Sequence, residues 1–269
     1  MAKIALLAGG GALPEMVASS CRHQGREILV IGFRGFTDPA LLEKYPSKTV
    51  HLGQMGAVRS LLKKNKIDRI VLAGHLTRPA WSQIRPDWQG LKMLWKLRKQ
   101  RLGDDALLRQ LSAFFEQDGV KLIGADQLVP DSVMPKGVLT KAAPTEEQLE
   151  DIAYGRRLLK TWGELDQGQS IVIQQSLVLG VEAIEGTDEL IKRCGDYKRP
   201  GPKPVLIKTK KTNQDRRLDL PTIGENTVKN AVAAGYAGIA VQAGEALFLQ
   251  PSACVELADA NGLFIVGVE

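Results

Sequence analysis

The chain has 269 residues, of which 44% are hydrophobic and 25% charged, with a formal net charge of +6. This composition is typical of a globular protein with one large core or two smaller ones, and the positive charge favours anionic partners. Only 5% of the residues are aromatic, and no basic tract alternates with aromatic residues as a base-stacking surface requires, so nucleic acid is not expected as a partner.

Neither a secretion signal nor a membrane-spanning segment is predicted. The N-terminal residues pass directly into an apolar strand and a glycine loop, without the basic flank and cleavage site of a signal peptide. No uninterrupted apolar run approaches the roughly 18 residues of a spanning helix. We therefore expect a cytoplasmic protein. Its three cysteines, Cys21, Cys194 and Cys254, have the spacing of neither a disulfide framework nor a zinc site.

The first half of the chain alternates strand and helix patterns. Strands are predicted at residues 3–8, 27–33, 49–52, 69–73 and 120–124, and helices at residues 13–24, 57–65 and 104–118. This alternation is typical of βαβ units that build a parallel sheet. A Rossmann-like domain is predicted for residues 1–130, with ligands at the carboxyl ends of its strands.

A change in composition follows that domain. Residues 131–145 are rich in turn-forming residues and are predicted to be a linker. Beyond them, strands are predicted at residues 170–175, 177–183, 205–209, 238–242, 246–249 and 263–268, and helices at residues 144–162, after 187 and at 227–234. Residues 146–269 are therefore predicted to form a second α/β domain, with a mixed sheet, that carries the catalytic residues.

A glycine-rich turn, GGGALP, occupies residues 9–14 after the first strand. Backbone amides at Gly10 and Gly11 can approach an anion closely, and the N-terminus of the following helix favours negative charge. The dinucleotide fingerprint would require glycine in place of Pro14 and an acidic residue after the second strand, where the chain has Arg34, so an NAD-dependent enzyme is disfavoured. A tight turn without a ligand remains compatible with this pattern.

Gly74 and His75 end another predicted strand and continue into Arg78 and Pro79. In an open parallel sheet this position faces the ligand, so His75 could bind phosphate or act as a general acid. A purely structural histidine is equally compatible with the sequence.

The segment RRLDLPTIG at residues 216–224 combines a carboxylate with two guanidinium groups. Asp219 could hold a divalent cation or orient a water, while Arg216 and Arg217, with Lys208, could neutralise phosphate oxygens. With three scattered histidines, the chain suits Mg²⁺, or Mn²⁺, better than zinc. A surface Arg–Asp pair is the alternative interpretation.

A second polar segment, GVEAIEGTD, spans residues 180–188. Glu182 and Glu185 could reach a cation or the hydroxyls of a sugar. Thr187 and Asp188 could equally cap the helix that follows, without any ligand.

Residues 88–102 place two tryptophans among five lysines and arginines. A helix with this composition can lie on an anionic bilayer. A helix packed on the core, with one solvated face, is the alternative.

The motifs at residues 9–14, 74–79, 180–188 and 219–224 together resemble the LpxI-type UDP-2,3-diacylglucosamine pyrophosphatases of lipid A biosynthesis. The resemblance covers essentially the whole chain. It implies a homodimer that cleaves UDP-2,3-diacylglucosamine to UMP and 2,3-diacylglucosamine 1-phosphate (lipid X). It further implies a divalent metal, a ligand cleft between two α/β domains and Asp219 as the essential acidic residue.

We therefore predict Asp219 as the catalytic residue and a metal ligand. The predicted substrate-binding residues are Gly10, Gly11, Gly74, His75, Glu182, Thr187, Asp188, Lys208, Arg217 and Thr222. Acyl chains on the substrate lead us to expect transient contact with the inner face of the inner membrane. The alternative is a protein that binds a nucleotide sugar or a lipid phosphate without catalysis, for which the glycine loop and basic surface would suffice.

Overall fold

The computed structural model describes residues 3–76, 84–98, 104–212 and 214–269. These residues form two compact units. The N-terminal unit extends to Pro130 and also includes Asp215–Asp219, while the C-terminal unit comprises Asp131–Gln214 and Leu220–Glu269. The chain thus leaves the C-terminal unit after Gln214, contributes a short segment to the N-terminal unit and returns.

A five-stranded parallel sheet forms the centre of the N-terminal unit. Its strands are β1 (Lys3–Ala8), β2 (Glu27–Phe33), β3 (Ser47–Val50), β4 (Arg69–Ala73) and β5 (Lys121–Leu122). They lie in the order β3-β2-β1-β4-β5. The direction of the strand order reverses between β1 and β4, which is where open α/β sheets bind their ligands.

Among the described residues, five α-helices accompany this sheet: α1 (Leu13–His23), α2 (Pro39–Lys44), α3 (Met55–Lys64), α4 (Trp88–Arg98) and α5 (Asp104–Glu116). Alternate residues of the buried strands pack against Val58 of α3 and Phe115 of α5 in one apolar cluster. Leu218, from the returning segment, is buried in the same cluster. Hydrophobic burial therefore fixes that segment to the N-terminal unit.

The C-terminal unit contains a six-stranded mixed sheet and a separate two-stranded one. Its strands are β6 (Gly137–Val138), β7 (Ser170–Gln174), β8 (Leu177–Val181), β9 (Val205–Lys208), β10 (Thr222–Ile223), β11 (Gly238–Gln242), β12 (Leu247–Phe248) and β13 (Phe264–Val268). The large sheet has the order β6-β13-β11-β9-β7-β8, and β10 pairs with β12. Strands β9, β11 and β13 are parallel, whereas β6, β7 and β8 run antiparallel to their neighbours.

Helices cover both faces of that sheet. They are α6 (Glu146–Glu164), α7 (Thr187–Gly195), α8 (Glu225–Ala233) and α9 (Pro251–Ala260). On one face, the sheet residues Ile171 and Ile207 pack against Leu159 of α6. The opposite face packs against α7, α8 and α9 through a second apolar cluster. This is the three-layer arrangement that an alternating α/β sequence produces.

The predicted α/β class, with a parallel sheet followed by a mixed one, is confirmed. Residues 131–145, interpreted from sequence as a linker, pack within the C-terminal unit: Met134 is buried in its core and β6 pairs with β13. The helices that the structure describes include none long and apolar enough to cross a bilayer.

Candidate functional site

The glycine loop and the end of β4 form one tightly packed structure. Gly9 N–H donates to the carbonyl of Ala73 at 2.8 Å, and Gly10 and His75 exchange backbone hydrogen bonds of 2.9 and 3.0 Å. A Cβ atom on Gly74 would lie 2.5 Å from the Gly10 oxygen, and Gly74 has a φ of +89°. Only glycine satisfies both the left-handed backbone and this close approach.

The imidazole of His75 lies beside the same loop. A Cβ atom on Gly10 would lie 3.2 Å from its Nε2, and one on Gly11 would lie 3.2 Å from its Nδ1. His75 is exposed, and helix α1 begins just after the loop without a side-chain N-cap at Ala12. Four predicted residues, namely Gly10, Gly11, Gly74 and His75, are thus brought together at the β1–β4 reversal. Arg78 and Pro79 of the same motif lie outside the described residues.

The segment Asp215–Asp219 is held by ion pairs of its arginines. Arg217 donates to both carboxylate oxygens of Asp215, the shortest contact being 2.7 Å, and to Glu116 at 3.0 Å. Arg216 pairs with Asp126 at 2.8 Å. The Arg217 hydrogen bond lowers the pKa of Asp215, and that to Asp215 raises the pKa of Arg217. The guanidinium of Arg217 is therefore engaged in fixing this segment.

Asp219 ends the segment with its side chain exposed, and its N–H donates to the carbonyl of Asp215 at 3.3 Å. Leu218, its neighbour, is buried. The buried leucine and the ion pairs of Arg217 thus hold the backbone next to Asp219, which lies at the surface.

No group of three or more His, Cys, Asp and Glu side chains forms a metal site within the described ranges. Mg²⁺ in phosphate chemistry needs only one or two carboxylates, because water and substrate phosphates supply the other ligands. The exposed carboxylate of Asp219 fits that donor requirement.

In the C-terminal unit, Glu182, Thr187 and Lys208 form a continuous hydrogen-bond network. Lys208 Nζ donates to Thr187 Oγ1 at 2.7 Å, and Thr187 Oγ1 donates to Glu182 Oε1 at 3.0 Å. Ser170 Oγ lies 3.1 Å from Thr187 Oγ1. Lys208 ends β9, and Thr187 begins α7. Glu182 and Thr187, from the segment 180–188, therefore meet Lys208, which was predicted separately, at the carboxyl end of a parallel strand.

The remaining predicted residues of the C-terminal unit are not part of this hydrogen-bond network. Asp188 Oδ1 accepts a long hydrogen bond, 3.4 Å, from Thr227 on α8. Thr222 Oγ1 donates to the carbonyl of Leu220 at 3.0 Å, at the start of β10. Glu185 pairs with Arg193 at 2.8 Å, so its carboxylate is engaged within α7 and the loop before it.

Ser170 and Thr227 were not identified from the sequence. Ser170 opens an apolar strand, SIVIQ, and is fully buried, so its local pattern indicates only a strand. Its relation to Lys208 comes from the β7–β9 register, which pairs the two residues directly. That register is a tertiary feature, which strand periodicity does not specify.

Family comparison agrees with both units. The LpxI N-terminal domain matches residues 3–132, and the LpxI C-terminal domain matches residues 135–266. The chain belongs to the LpxI family. The resemblance seen in its motifs is thereby confirmed.

A relative from Caulobacter vibrioides, UDP-2,3-diacylglucosamine pyrophosphatase LpxI, is 40% identical to this chain. The similarity covers 100% of this chain and 98% of the relative. The aligned region therefore spans the whole of this chain.

Two solved structures show weaker likeness. The precorrin-6A reductase CobK matches with a TM-score of 0.33 and 12% identity, over 100% of this chain and 89% of that chain. A UDP-glucose-4-epimerase from Stenotrophomonas maltophila matches with a TM-score of 0.31 and 12% identity, over 46% of this chain and 35% of that chain. Likeness at this level does not extend to function.

Proposed function

We propose that this protein hydrolyses the pyrophosphate of UDP-2,3-diacylglucosamine to UMP and 2,3-diacylglucosamine 1-phosphate (lipid X) in lipid A biosynthesis. The observation that carries this proposal is the 40% identity to an enzyme of that name along the full length of both chains. The exposed carboxylate of Asp219, held on a segment anchored by Leu218 and Arg217, supports a catalytic rather than a purely binding role.

In the proposed reaction, a water oxygen forms a bond to one phosphorus while the bridging P–O bond breaks. The leaving phosphate takes the bonding electron pair, and the proton lost by the water passes to the solvent. Asp219 orients this water, and it would also hold a divalent metal, which would supply charge neutralisation. The amide of Gly11 binds a phosphate oxygen, as glycine loops at helix N-termini do, since the amide of Gly10 already donates to the carbonyl of His75. His75, beside the loop, stabilises the charge of the phosphate.

We propose a divalent cation, Mg²⁺ or Mn²⁺, as the cofactor, with Asp219 as its protein ligand. When bound, it would neutralise charge on the pyrophosphate oxygens. Exhaustive chelation with EDTA should abolish hydrolysis, and added Mg²⁺ or Mn²⁺ should restore it. Full activity after chelation would remove the metal from the proposal.

We also propose that the protein works in the cytoplasm, in contact with the inner face of the inner membrane. Trp88, Leu91 and Trp95 lie at helical spacing along α4 and are 70%, 48% and 63% exposed. Lys92 Nζ lies 5.5 Å from the centroid of the Trp88 ring. Exposed tryptophans beside a cation are the combination that binds a bilayer interface.

Helix α4 is firmly attached to the N-terminal unit at its start. Asp87 accepts hydrogen bonds from Gly90 N–H at 2.9 Å and from Ala57 N–H, at the start of α3, at 3.0 Å. A Cβ atom on Gly90 would overlap the Gly53 carbonyl at 1.9 Å. Because Gly90 packs closely against the N-terminal unit, the side of α4 that carries Trp88 and Trp95 is the one proposed to contact the membrane.

The proposed activity is tested by incubating the purified protein with UDP-2,3-diacylglucosamine in detergent micelles, with Mg²⁺, and measuring UMP. Stoichiometric UMP and 2,3-diacylglucosamine 1-phosphate would support it. Tight substrate binding without UMP would instead favour the non-catalytic binding protein. The homodimer is a further proposal, checked by sedimentation equilibrium.

A further inference from the structure

Lys208 is a buried cation with a single hydrogen-bond partner. The residue is 5% exposed, and its ammonium donates to Thr187 Oγ1 at 2.7 Å. Within the part of the chain that the structure describes, no carboxylate forms an ion pair with it. A buried charge without a counterion is costly. An ammonium has three N–H donors, so two are left for an acceptor that is not a side chain of this network.

The hydroxyl of Thr187 has no capacity left for a ligand. A hydroxyl donates once and accepts twice. Thr187 Oγ1 donates to Glu182 and accepts from Lys208. Because its only proton goes to Glu182, the 3.1 Å contact with Ser170 is one in which Ser170 donates. Thr187 therefore acts on Lys208 and does not itself bind substrate through its hydroxyl.

Ser170 is the second residue that positions the Thr187 hydroxyl. It is fully buried and lies directly opposite Lys208 in the antiparallel pair of β7 and β9. Directly opposed residues place their side chains on the same face of a sheet. Ser170 and Lys208 thus reach the Thr187 hydroxyl from two neighbouring strands, and this fixes Thr187 Oγ1 at the point where the ammonium donates.

The first turn of α7 carries groups of both signs, namely its orphan amides and the carboxylates of Asp188 and Glu189. Thr187 is its first residue, and Gly186 before it provides no side-chain cap. The orphan amides of a helix N-terminus carry partial positive charge. The carboxylates of Asp188 and Glu189 in the same turn oppose an anion, so the Lys208 ammonium is the group that would hold a phosphoryl oxygen.

We propose that Ser170 and Thr187 are positioning residues that hold the Lys208 ammonium for one phosphoryl group of the substrate. This inference rests on the proposed pyrophosphatase function, since that function supplies the phosphoryl ligand. The competing explanation is structural: Thr187 would simply join Lys208 to Glu182 and stabilise the start of α7.

The test compares Thr187→Val, which removes the hydroxyl, with Thr187→Ser, which keeps it. Thr187→Val should raise KM for UDP-2,3-diacylglucosamine about tenfold or more while kcat changes less, since a hydrogen bond to a charged group is lost. Thr187→Ser should restore KM to within about threefold of the parent value, because the hydroxyl carries the effect. Thr161→Val, an exposed threonine on α6, is the matched control and should leave KM unchanged.

A double-mutant cycle shows whether Thr187 acts through Lys208. If it does, Thr187→Val should have little further effect in a Lys208→Gln background. Ser170→Ala should raise KM in the same direction, and it provides a second test if Thr187→Val does not unfold cooperatively. Additive effects of Thr187→Val and Lys208→Gln, or an unchanged KM in Thr187→Val, would overturn the proposal.

Titration calorimetry with uridine 5′-diphosphate distinguishes failure of the proposed pyrophosphatase function from failure of the positioning proposal. If the parent binds this probe without hydrolysing the lipid substrate, the proposed function fails. In that case, the positioning proposal is supported if Thr187→Val and Lys208→Gln weaken binding of the probe by the same factor, and it is contradicted if they do not. If the parent hydrolyses the substrate and these variants bind the probe normally, only the positioning proposal fails. No binding and no hydrolysis by the parent would contradict both.

Discussion

The backbones of Gly10 and His75 exchange two hydrogen bonds, of 2.9 and 3.0 Å, across the ends of β1 and β4. They join the glycine loop to the residues after β4 at the reversal of strand order. Gly74, which precedes His75, has a φ of +89° and its α-carbon faces the Gly10 carbonyl. The shape of the loop therefore depends on two separate glycine positions that have to approach each other.

Gly74→Ala should lower the free energy of unfolding by more than the cost of placing alanine in a left-handed backbone conformation. The new Cβ atom would lie 2.5 Å from the Gly10 oxygen. Gly35→Ala is the matched control, because Gly35 has a similar φ of +83° with nothing within 4 Å of the added atom. The control should lose about 1–2 kcal/mol from the left-handed backbone. Equal shifts in thermal unfolding for the two variants would show that the close approach is unimportant.

The Asp215–Arg217 pair should make stability depend on pH. The hydrogen bond from Arg217 lowers the pKa of Asp215 below its ordinary value of 3.8. A carboxyl with a depressed folded-state pKa stabilises the fold above its unfolded pKa, and this contribution is lost as the pH falls through the folded value. Asp215→Asn should therefore lower Tm at pH 7, and this Tm difference should shrink as the pH falls below 3.8.

The expected loss at pH 7 is about 1 kcal/mol, or roughly 2–4 °C, because the pair is partly exposed. Asp131→Asn, at an exposed carboxylate, is the control. A Tm difference between Asp215→Asn and parent that stays constant from pH 7 to pH 2 would contradict the assigned ion pair.

Regular elements with strong periodicity were predictable from the sequence. The strands Lys3–Ala8, Glu27–Phe33, Arg69–Ala73 and Gly238–Gln242 have the predicted bounds, since each is a continuous apolar run with clear turn signals at its ends. The short strands β6 and β10 were not predicted. Each has two residues, and its pairing depends on a distant partner strand rather than on a local pattern.

The membrane proposal predicts that Lys92→Gln, Lys96→Gln and Lys99→Gln together weaken binding to vesicles of anionic lipid. At roughly 1 kcal/mol per cation near the surface, the loss is about 3 kcal/mol, or about 100-fold. Lys96 and Lys99 are chosen from the sequence, and Lys99 lies outside the described residues.

Hydrolysis of substrate dispersed in detergent should be largely unaffected by the triple variant. A control replaces Lys141, Lys160 and Lys203, all exposed, and should bind vesicles nearly as the parent does. If the parent does not bind vesicles, or both triple variants bind equally, α4 is an ordinary surface helix and the membrane proposal is wrong.

The candidate site could be predicted only in part. The sequence indicates which residue types could act on a phosphate, but not which side chains pair with one another in the fold. The resemblance predicts Asp219 from an unbroken motif, and the residue is exposed in the structure. Arg217 was predicted to bind phosphate, a role that no observation tests, but its guanidinium is paired with Asp215 and Glu116. Asp215 is 2 residues from Arg217 along the chain, whereas Glu116 is 101 residues away. Sequence spacing therefore does not indicate which carboxylates form ion pairs with this arginine.

We propose Asp219 as the catalytic carboxylate of a pyrophosphatase. The most direct measurement is the rate of UMP release from UDP-2,3-diacylglucosamine by the parent, by Asp219→Ala and by the control Asp196→Ala, at an exposed aspartate after α7. Asp219→Ala should keep the Tm and circular dichroism spectrum of the parent but lose at least about two decades of rate, since a metal or water ligand in phosphoryl chemistry contributes several kcal/mol. Asp196→Ala should react at the parent rate. Near-normal UMP release by a folded Asp219→Ala protein would contradict the assignment.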